Sequence, residues 1–587
     1  MSPKGRPKGE RLPLGGTARS AEGAPIHPPG RPKGEHRSAQ HEGRPTTPAA
    51  EPGEPVAAAP AVSLDPVEIE LKLALDPAAI PALLRHPALL DAKRGRAQVS
   101  RLVSTYFDTP DFRLAGRSIA LRLRRDGAHW RQTVKGPPLA EAGGALHARP
   151  EYEWPVAAPR LDPALLAATP WRKLLAAALS AGELHARFTT DFERRTIRLA
   201  FADSTTAVLC VDVGEIRAAG RARRRVPIAE IEIELVSGQP QRLFELALAL
   251  AADLPLAAAA ASKAERGCAL AQGHPDGWRL PERAGPVAFP DRVAPGPALA
   301  AIAAECLRQI GANASGLVAD RDPEWIHQMR VGTRRLRSCL ALMADVGPAA
   351  DIAFVAAESK WLAGALGPAR DWDVFATETL PPLTSWFAGD AATAAGLARL
   401  RARLARRRRA ARESARDAVR SPRFTRLLLA GGALCASPSL GAPADVRAKP
   451  PPRRARRFAA DLLARRHRKL AKRGARLAEA TPEERHAVRI AAKKMRYAAE
   501  FFAPLFPVRR ARAYLRALAQ LQDALGHFSD ATTAARLAAE LAGTDATAAA
   551  AAGAVKGWAA ARAAALEPEL TAAWEAVAAA RPFWRRR

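Results

Sequence analysis

Val67-Glu-Ile-Glu-Leu-Lys-Leu73 alternates apolar and charged residues with a period of two. This is the pattern of a β-strand that turns one face to an apolar core and the other to charge. Glu68, Glu70 and Lys72 therefore share a face. The same period returns at Leu121-Arg-Leu-Arg124, Arg131-Gln-Thr-Val-Lys135, Glu151-Tyr-Glu153 and Glu230-Ile-Glu-Ile-Glu234. With the stretches near 101–107, 186–199 and 205–216 the count is about eight strands, followed by a helical stretch from Pro240 to Ala261. Eight antiparallel strands can close into a barrel with every edge paired.

Taken strand by strand, the charged face reads as the wet side of an antiparallel sheet. Its repetition points elsewhere. Glu230, Glu232 and Glu234, two residues apart, repel one another, and a divalent cation removes that repulsion because carboxylate oxygens are the ligands Mg²⁺ and Mn²⁺ prefer. Cations on neighbouring strands, Lys72, Arg122, Arg124 and Lys135, would then cradle phosphate oxygens. Phosphoryl transfer is the chemistry that needs both, since its catalysis is mostly positioning and charge neutralisation.

Outward from this core, the chain of 587 residues is long enough for several folding units. Residues 1–63 are rich in Pro, Gly and Ala and repeat Gly-Arg-Pro-Lys-Gly-Glu at 5–10 and 30–35, the composition of a disordered basic tail. A Pro/Gly-rich stretch over 276–294 reads as a linker between domains at 64–275 and 295–587. The start has no apolar run behind its positive charges, so no secretory signal is expected, and no apolar run is long enough to predict a membrane span. Five well-separated cysteines with no CxxC pair argue against a disulfide framework or a zinc knuckle and fit a reducing, cytoplasmic setting. The formal charge of +31 calls for a polyanionic partner. It is unevenly placed: 64–275 hold 29 basic and 24 acidic residues, 295–587 hold 49 and 26.

The second region contains a duplication. His327, Arg330, Arg334, Arg335 and Arg337 match His486, Arg489, Lys493, Lys494 and Arg496 at an offset of 159, and Leu366, Gly367 and Asp371 match Leu525, Gly526 and Asp530 at the same offset. The spacings of three and four put each set on one stripe of a helix. Arg409, Arg412, Arg416, Arg420 and Arg423 repeat the spacing, as do Arg465, Lys469, Lys472 and Arg476. Like charges on one helical face destabilise it unless a counter-anion is supplied, and an extended polyanion would supply it. Solvated basic faces are the alternative for 401–426. Nucleic acid is a rival polyanion, but only 5% of the chain is aromatic, so stacking platforms for bases are scarce.

Glu68-x-Glu70-x-Lys72, followed in order by Tyr106-Phe-Asp-Thr-Pro110, Leu121 to Arg125, Gln132 to Lys135, Arg149-Pro-Glu-Tyr-Glu153, Thr190 to Arg194, Asp212-Val-Gly-Glu215, Glu230 to Glu234 and Ser262-Lys263, resembles the CYTH domain of the triphosphate tunnel metalloenzymes, nearest to its inorganic triphosphatase branch. The paired His-x-x-Arg-x-x-x-(Arg/Lys)-(Arg/Lys)-x-Arg helices and Leu-Gly-x-x-x-Asp turns resemble the CHAD domain, although Asp373 has Thr532 as its counterpart. The resemblance implies an α+β fold with an eight-stranded tunnel, then an all-α domain with an internal two-fold repeat. It implies Glu68, Glu70, Asp212, Glu230, Glu232 and Glu234 on the metal, Mg²⁺ or Mn²⁺. Lys72, Arg122, Arg124, Lys135, Arg194 and Lys263 would grip the phosphates, and Glu68, Glu70 and Lys72 would form the catalytic set, with Glu68 or Glu70 orienting water. Inorganic tripolyphosphate is the implied substrate. Long-chain polyphosphate is the implied ligand of His327, Arg330, Arg334, Arg337, His486, Arg489, Lys493 and Arg496, placing the protein at cytoplasmic polyphosphate granules. A non-catalytic granule scaffold and a nucleic-acid-binding protein are the other readings.

Overall fold

The computed structural model describes residues 67–585 apart from 140–145, 221–223, 260, 275–279, 291, 345 and 442–453. The tail expected over 1–63 and parts of the expected linker lie outside the described residues.

Eight strands form the first body: β1 (Val67–Ala74), β2 (Lys93–Asp108), β3 (Ala120–Asp126), β4 (His129–Lys135), β5 (Leu146–Val156), β6 (His185–Ala200), β7 (Thr206–Ala218) and β8 (Arg225–Ser237). Their order is β5-β4-β3-β2-β6-β7-β8-β1, every pairing is antiparallel, and β1 also pairs with β5, which closes the barrel. A two-residue strand, β9 (Ala257–Ala258), adds to β1. Register sets the charged residues opposite one another. Glu68 faces Arg149 and Glu70 faces His147 across β1–β5; Lys72 faces Glu232 and Glu70 faces Glu234 across β1–β8. Arg194 faces Asp212, which faces Glu230 on its other side.

Short helices α1 (Ile80–Leu84), α2 (Pro87–Ala92), α3 (Pro163–Ala167) and α4 (Arg172–Ser180) fill the connections, and α5 (Gln241–Asp253) and α6 (Lys263–Gln272) follow the last long strand. The apolar face of the barrel, Leu71, Leu73, Leu209, Ile231 and Ile233, packs on Leu243, Ala247 and Leu250 of α5. The helix expected to run from Pro240 to Ala261 stops at Asp253 because Leu254 precedes Pro255, which drives it to extended backbone, φ −115° and ψ 145°.

The remaining chain is helical: α7 (Pro295–Ala319), α8 (Pro323–Met343), α9 (Ala349–Val374), α10 (Leu380–Trp386), α11 (Ala391–Arg420), α12 (Pro422–Ala436), α13 (Ala455–Gly474), α14 (Pro482–Phe502), α15 (Val508–Ala542), α16 (Ala546–Ala565) and α17 (Glu567–Ala579). Helices α8 and α14 begin and end at the 159-residue offset, and α9 and α15 begin at it. The starts are encoded alike: Pro at the first helical position behind a capping side chain, Asp322 accepting from the Glu324 amide and Thr481 from that of Glu484.

The two regions share a core. Leu429 of α12 belongs to the apolar cluster of the barrel and α5. Gly432 lies so close to Phe244 of α5 that a Cβ there would stand 2.2 Å from the ring.

Candidate active site

The inner face of the barrel encloses a cavity of about 320 Å³ lined by Glu68, Glu70, Lys72, Arg122, Arg124, Lys135, Arg194, Glu232, Glu234 and Lys263, together with Tyr106, Arg149, Glu151, Glu153 and Ser262. Alternation along each strand delivers these side chains inward while the intervening Leu, Ile and Val residues pack outward on the helices.

Cations and carboxylates interleave. Lys135 Nζ stands 2.8 and 2.7 Å from the two Glu68 oxygens and 3.0 Å from Glu151. Lys72 Nζ lies 2.8 Å from Glu70 and 3.0 Å from Glu232. Arg194 grips Asp212 with two bonds of 2.7 and 2.6 Å and also reaches Glu232. Lys263, buried at the first position of α6, contacts Asp212 at 2.6 Å, Glu232 at 3.0 Å and Glu230, whose other oxygen accepts from Arg266 at 3.0 Å. The carboxylates expected to need a metal against mutual repulsion are thus already opposed by buried cations. Burial favours the neutral form of Lys72, but Glu232 and Glu70 outweigh it and hold its pKa well above the usual lysine value. Burial likewise works against ionised Glu232, and Lys263, Lys72 and Arg194 pull its pKa well below the usual carboxylate range.

Two groups lack such compensation. Glu234 is pushed up to about 7 by burial and by the nearby charges of Glu68, Glu151 and Glu70, against the pull of Lys135. Arg124 is lowered to about 10 by burial and by Arg122 and Arg194, against the pull of Tyr106 and Glu153, and its Nε donates to Ser104 Oγ at 3.3 Å. One negative and one positive demand are therefore left open in the same cavity. A divalent cation would answer the first and a phosphate oxygen the second.

The six carboxylates expected on the metal fall into two groups. Asp212, Glu230 and Glu232 bring oxygens within 4.8 Å of one another, a buried acidic cluster that could hold a metal. Glu68, Glu70 and Glu234 line the cavity with Glu232, whereas Asp212 and Glu230 lie behind Lys263 and Arg194. The oxygen-only donors fit a hard divalent ion.

Arg149 lines the cavity and was not among the residues singled out from sequence. It is 8% exposed, and its Nε has no hydrogen-bond acceptor among the described residues. Its signal was present: the period of two in Glu151-Tyr-Glu153 extends back through Arg149 to His147. Tyr106, of the Tyr106-Phe-Asp-Thr-Pro110 motif, accepts from Arg122 through its hydroxyl at 3.4 Å.

In the helical region, α8 and α14 bring part of the two basic stripes together. The Lys493 pKa is lowered to about 7 by burial and by the charges of Arg489 and, from the other helix, Arg334 and Arg330, with Asp530 opposing. Arg330 is lowered by burial and by Arg334 and Arg370, and Arg489 by burial and by Arg334, against the pull of Asp371 and Asp530 respectively. His327 is lowered by burial and by Arg370, Arg334 and Arg330. His486 and Arg337 are exposed. Arg496 stands apart: its Nε bonds Glu500 at 2.7 Å, and the same carboxylate holds Arg335 at 3.1 Å.

In the stripe through 409–423, Arg409, Arg420 and Arg423 are exposed, while Arg412 and Arg416 are half-buried against the end of α7. Arg412 donates to the Arg321 carbonyl, Arg416 to those of Leu317 and Asp320 at the end of α7, and Arg423 to Glu358. Cations at a helix C-terminus satisfy its last carbonyls and its dipole. Arg465, Lys469, Lys472 and Arg476 are exposed. Among the described residues no helix is long and apolar enough to cross a membrane.

Two family models match the chain: the CYTH domain over residues 67–268 and the CHAD domain over residues 301–539. An inorganic triphosphatase from Haemophilus influenzae is 34% identical over 205 residues, 34% of this chain; the chain spans 54% of that relative's length. The crystal structure of the CHAD domain from Ricinus communis is 35% identical, covering 52% of this chain and 98% of that one with a TM-score of 0.45. PptA from Streptomyces chartreusis is 21% identical, covering 48% and 100% with a TM-score of 0.35. The chain is a CYTH domain followed by a CHAD domain.

Proposed function

We propose that the protein is a metal-dependent inorganic triphosphatase, splitting tripolyphosphate into pyrophosphate and phosphate, joined to a polyphosphate-binding helical module. The observation that carries this reading is the barrel cavity, which brings Lys72, Arg122, Arg124, Lys135, Arg194 and Lys263 together with Glu68, Glu70, Glu232 and Glu234 on one inner wall. The CYTH match and the triphosphatase relative support a triphosphatase-type activity.

Lys72, Arg122, Arg124, Lys135, Arg194 and Lys263 hold the triphosphate in line, and Arg149, whose Nε has no acceptor among the described residues, adds a further guanidinium to the same wall. Glu68, Glu70, Glu232 and Glu234 on the cavity wall, with Asp212 and Glu230 next to Glu232, would hold Mg²⁺ or Mn²⁺, which when bound shields phosphate charge and polarises phosphoryl oxygens. Glu68 or Glu70 orients a water whose oxygen attacks the terminal phosphorus. The P–O bond to the bridging oxygen breaks as the new P–O bond forms, the electron pair leaves on pyrophosphate, and the water proton passes to solvent. In the helical module, Arg330, Arg334, Arg489 and Lys493 form the centre of the polyphosphate groove, with His327, His486 and Arg337 beside them, and Arg496 joins them only on leaving Glu500. The division of labour follows 64–275 and 295–587, in the cytoplasm at polyphosphate granules. Tethering the two would raise the local concentration of substrate.

The test is phosphate release from tripolyphosphate, ATP, thiamine triphosphate and long polyphosphate with Mg²⁺ or Mn²⁺, comparing the parent with Glu68→Ala. Metal-dependent release from tripolyphosphate that disappears in the variant supports the reading. No release from any of them, with polyphosphate still bound, makes this a binding protein.

A further inference from the structure

The basic row on α13 takes no part in the groove between α8 and α14. Arg465, Arg468, Lys469 and Lys472 are exposed, as is Arg476 just past the helix end. The offset of 159 that relates the two halves pairs α13 with α7, and these five cations stand where α7 has Cys306, Gln309, Ile310, Asn313 and Leu317, each 0% exposed. In the first half α12 lies against α7, so close that a Cβ at Gly431 would stand 2.8 Å from Leu307. Positions that belong to the core in one half therefore carry cations at the surface in the other. No Asp or Glu occurs from Leu462 to Ala478. The ion pair of α13, Arg457 with Asp461 at 3.2 Å, stands ahead of the row, and among the described residues none of the five cations forms one. A helix face that has only to meet water gains from mixing signs at spacings of three and four; this one keeps a single sign.

The row is tied to the outer side of the groove helix. Arg466 donates to the Lys494 carbonyl and Arg473 to that of Ala487 at 3.2 Å, pairs two turns apart on each helix. Lys469 and Arg476, three residues on from Arg466 and Arg473, occupy the adjoining line of α13. On α14 the order around the helix from groove to seam is Lys493, Ile490, Lys494, and the last two are exposed. Cations thus continue from the groove over the shoulder of α14 onto α13, with Ile490 as the apolar side chain on the way. Glu479, Glu483 and Glu484, exposed beyond Arg476, bound the patch at that end. The rings that pack on α13, Tyr514 and Trp584 on His467 and Trp574 on Gly474, are buried or half-buried, so none stands exposed beside the row to stack a base. What the surface offers is charge alone, and its match is a chain that is charge alone.

We infer that polyphosphate chains long enough to leave the groove continue past Lys494 onto α13, where Arg465, Arg468, Lys469, Lys472 and Arg476 hold the overhang. The inference rests on the polyphosphate reading of the groove and adds to it a preference for long chains over short ones. It does not depend on the barrel's being an enzyme.

The experiment titrates the full chain by calorimetry with polyphosphate of about ten and of about a hundred phosphates, and separately with duplex DNA at equal phosphate concentration and equal salt. The variant carries Arg465→Ala, Lys469→Ala and Lys472→Ala together. The three side chains are exposed and alanine is the best helix former, so its circular dichroism should match the parent's. The expected result is that the parent binds the long chain more tightly than the short one, and that the variant loses about tenfold in affinity for the long chain, with a shallower salt dependence, while its affinity for the short chain stays as it was. Undiminished long-chain binding in the variant overturns the inference, and so does an equal loss for both lengths, which would place the row within the groove's own site. If duplex DNA is the titrant whose binding the variant loses, with long polyphosphate unaffected, the row is a nucleic-acid surface and the inference falls. Failure of the parent to bind either length would instead overturn the polyphosphate reading of the groove, and the inference with it.

Discussion

The barrel interior and the helical groove solve opposite electrostatic problems. Inside the barrel, Lys72, Arg194 and Lys263 are matched by Glu70, Glu232, Asp212 and Glu230 at bonding distance, so most of the charge is cancelled before anything binds. Where α8 meets α14, Arg330, Arg334, Arg489 and Lys493 press on one another with Asp371 and Asp530 as partial compensation. A balanced cavity suits a guest that brings both signs, phosphate with metal. An unbalanced one suits a guest that brings only negative charge, and binding such a guest relieves strain already present in the free protein.

The comparison can be broken most severely at Glu232, which serves Lys72, Arg194 and Lys263 together. Glu232→Gln leaves these buried cations short of a counter-charge, and the expected loss is about 3–5 kcal/mol of stability, read as a fall in the urea midpoint. In the groove the opposite is expected: Arg330→Ala with Arg334→Ala removes repulsion and leaves the midpoint unchanged or raised. The same pair of changes should weaken long-chain polyphosphate binding about a hundredfold and flatten its salt dependence. A stable Glu232→Gln, or a groove variant that binds as before, would erase the distinction.

Whether the two regions act as one body is tested at Gly432, where a Cβ meets the Phe244 ring. Gly432→Ala should cost about 1–3 kcal/mol by overpacking. It should also separate one thermal transition into two, seen by calorimetry.

The smallest effect expected is a pH dependence of polyphosphate binding. With its pKa lowered to about 7, Lys493 is charged below neutrality and largely neutral above pH 8 in the free protein. A bound polyanion favours the charged form, so binding takes up a proton above pH 7, and affinity is full below that and falls as pH rises. A decline of about threefold from pH 6.5 to 8.5, absent in Lys493→Arg, is the outcome that one shared charge would give. A flat profile in the parent would assign the groove's affinity to the arginines alone.

Much of this was legible because periodicity survives translation into structure. Val67 to Leu73 and Glu230 to Glu234 alternate with a period of two, and that placed their charges on one face. The histidine and arginine spacings placed α8 and α14, whose limits repeat at the offset found from sequence. What sequence could not supply was partnership across distance. The repulsion among Glu230, Glu232 and Glu234 pointed to a metal, yet Lys263 and Arg266 on α6 and Arg194 on β6 relieve much of it. Arg412, Arg416 and Arg423 read as a free stripe, yet their acceptors are carbonyls at and just beyond the end of α7 and the Glu358 carboxylate, far away in the chain. Spacing shows which residues share a face and is silent on what that face meets.

The contact between Phe244 and Gly432 bears on how the protein can be cut. A fragment ending near residue 275 would keep Phe244 and its apolar neighbours while losing Leu429 and the helix that covers them, and a fragment starting near 295 would bare the other side. Each piece would carry a greasy scar into solution and tend to self-associate. The boundary visible in the sequence is therefore a poor place for scissors unless Phe244 and Leu429 are first made polar.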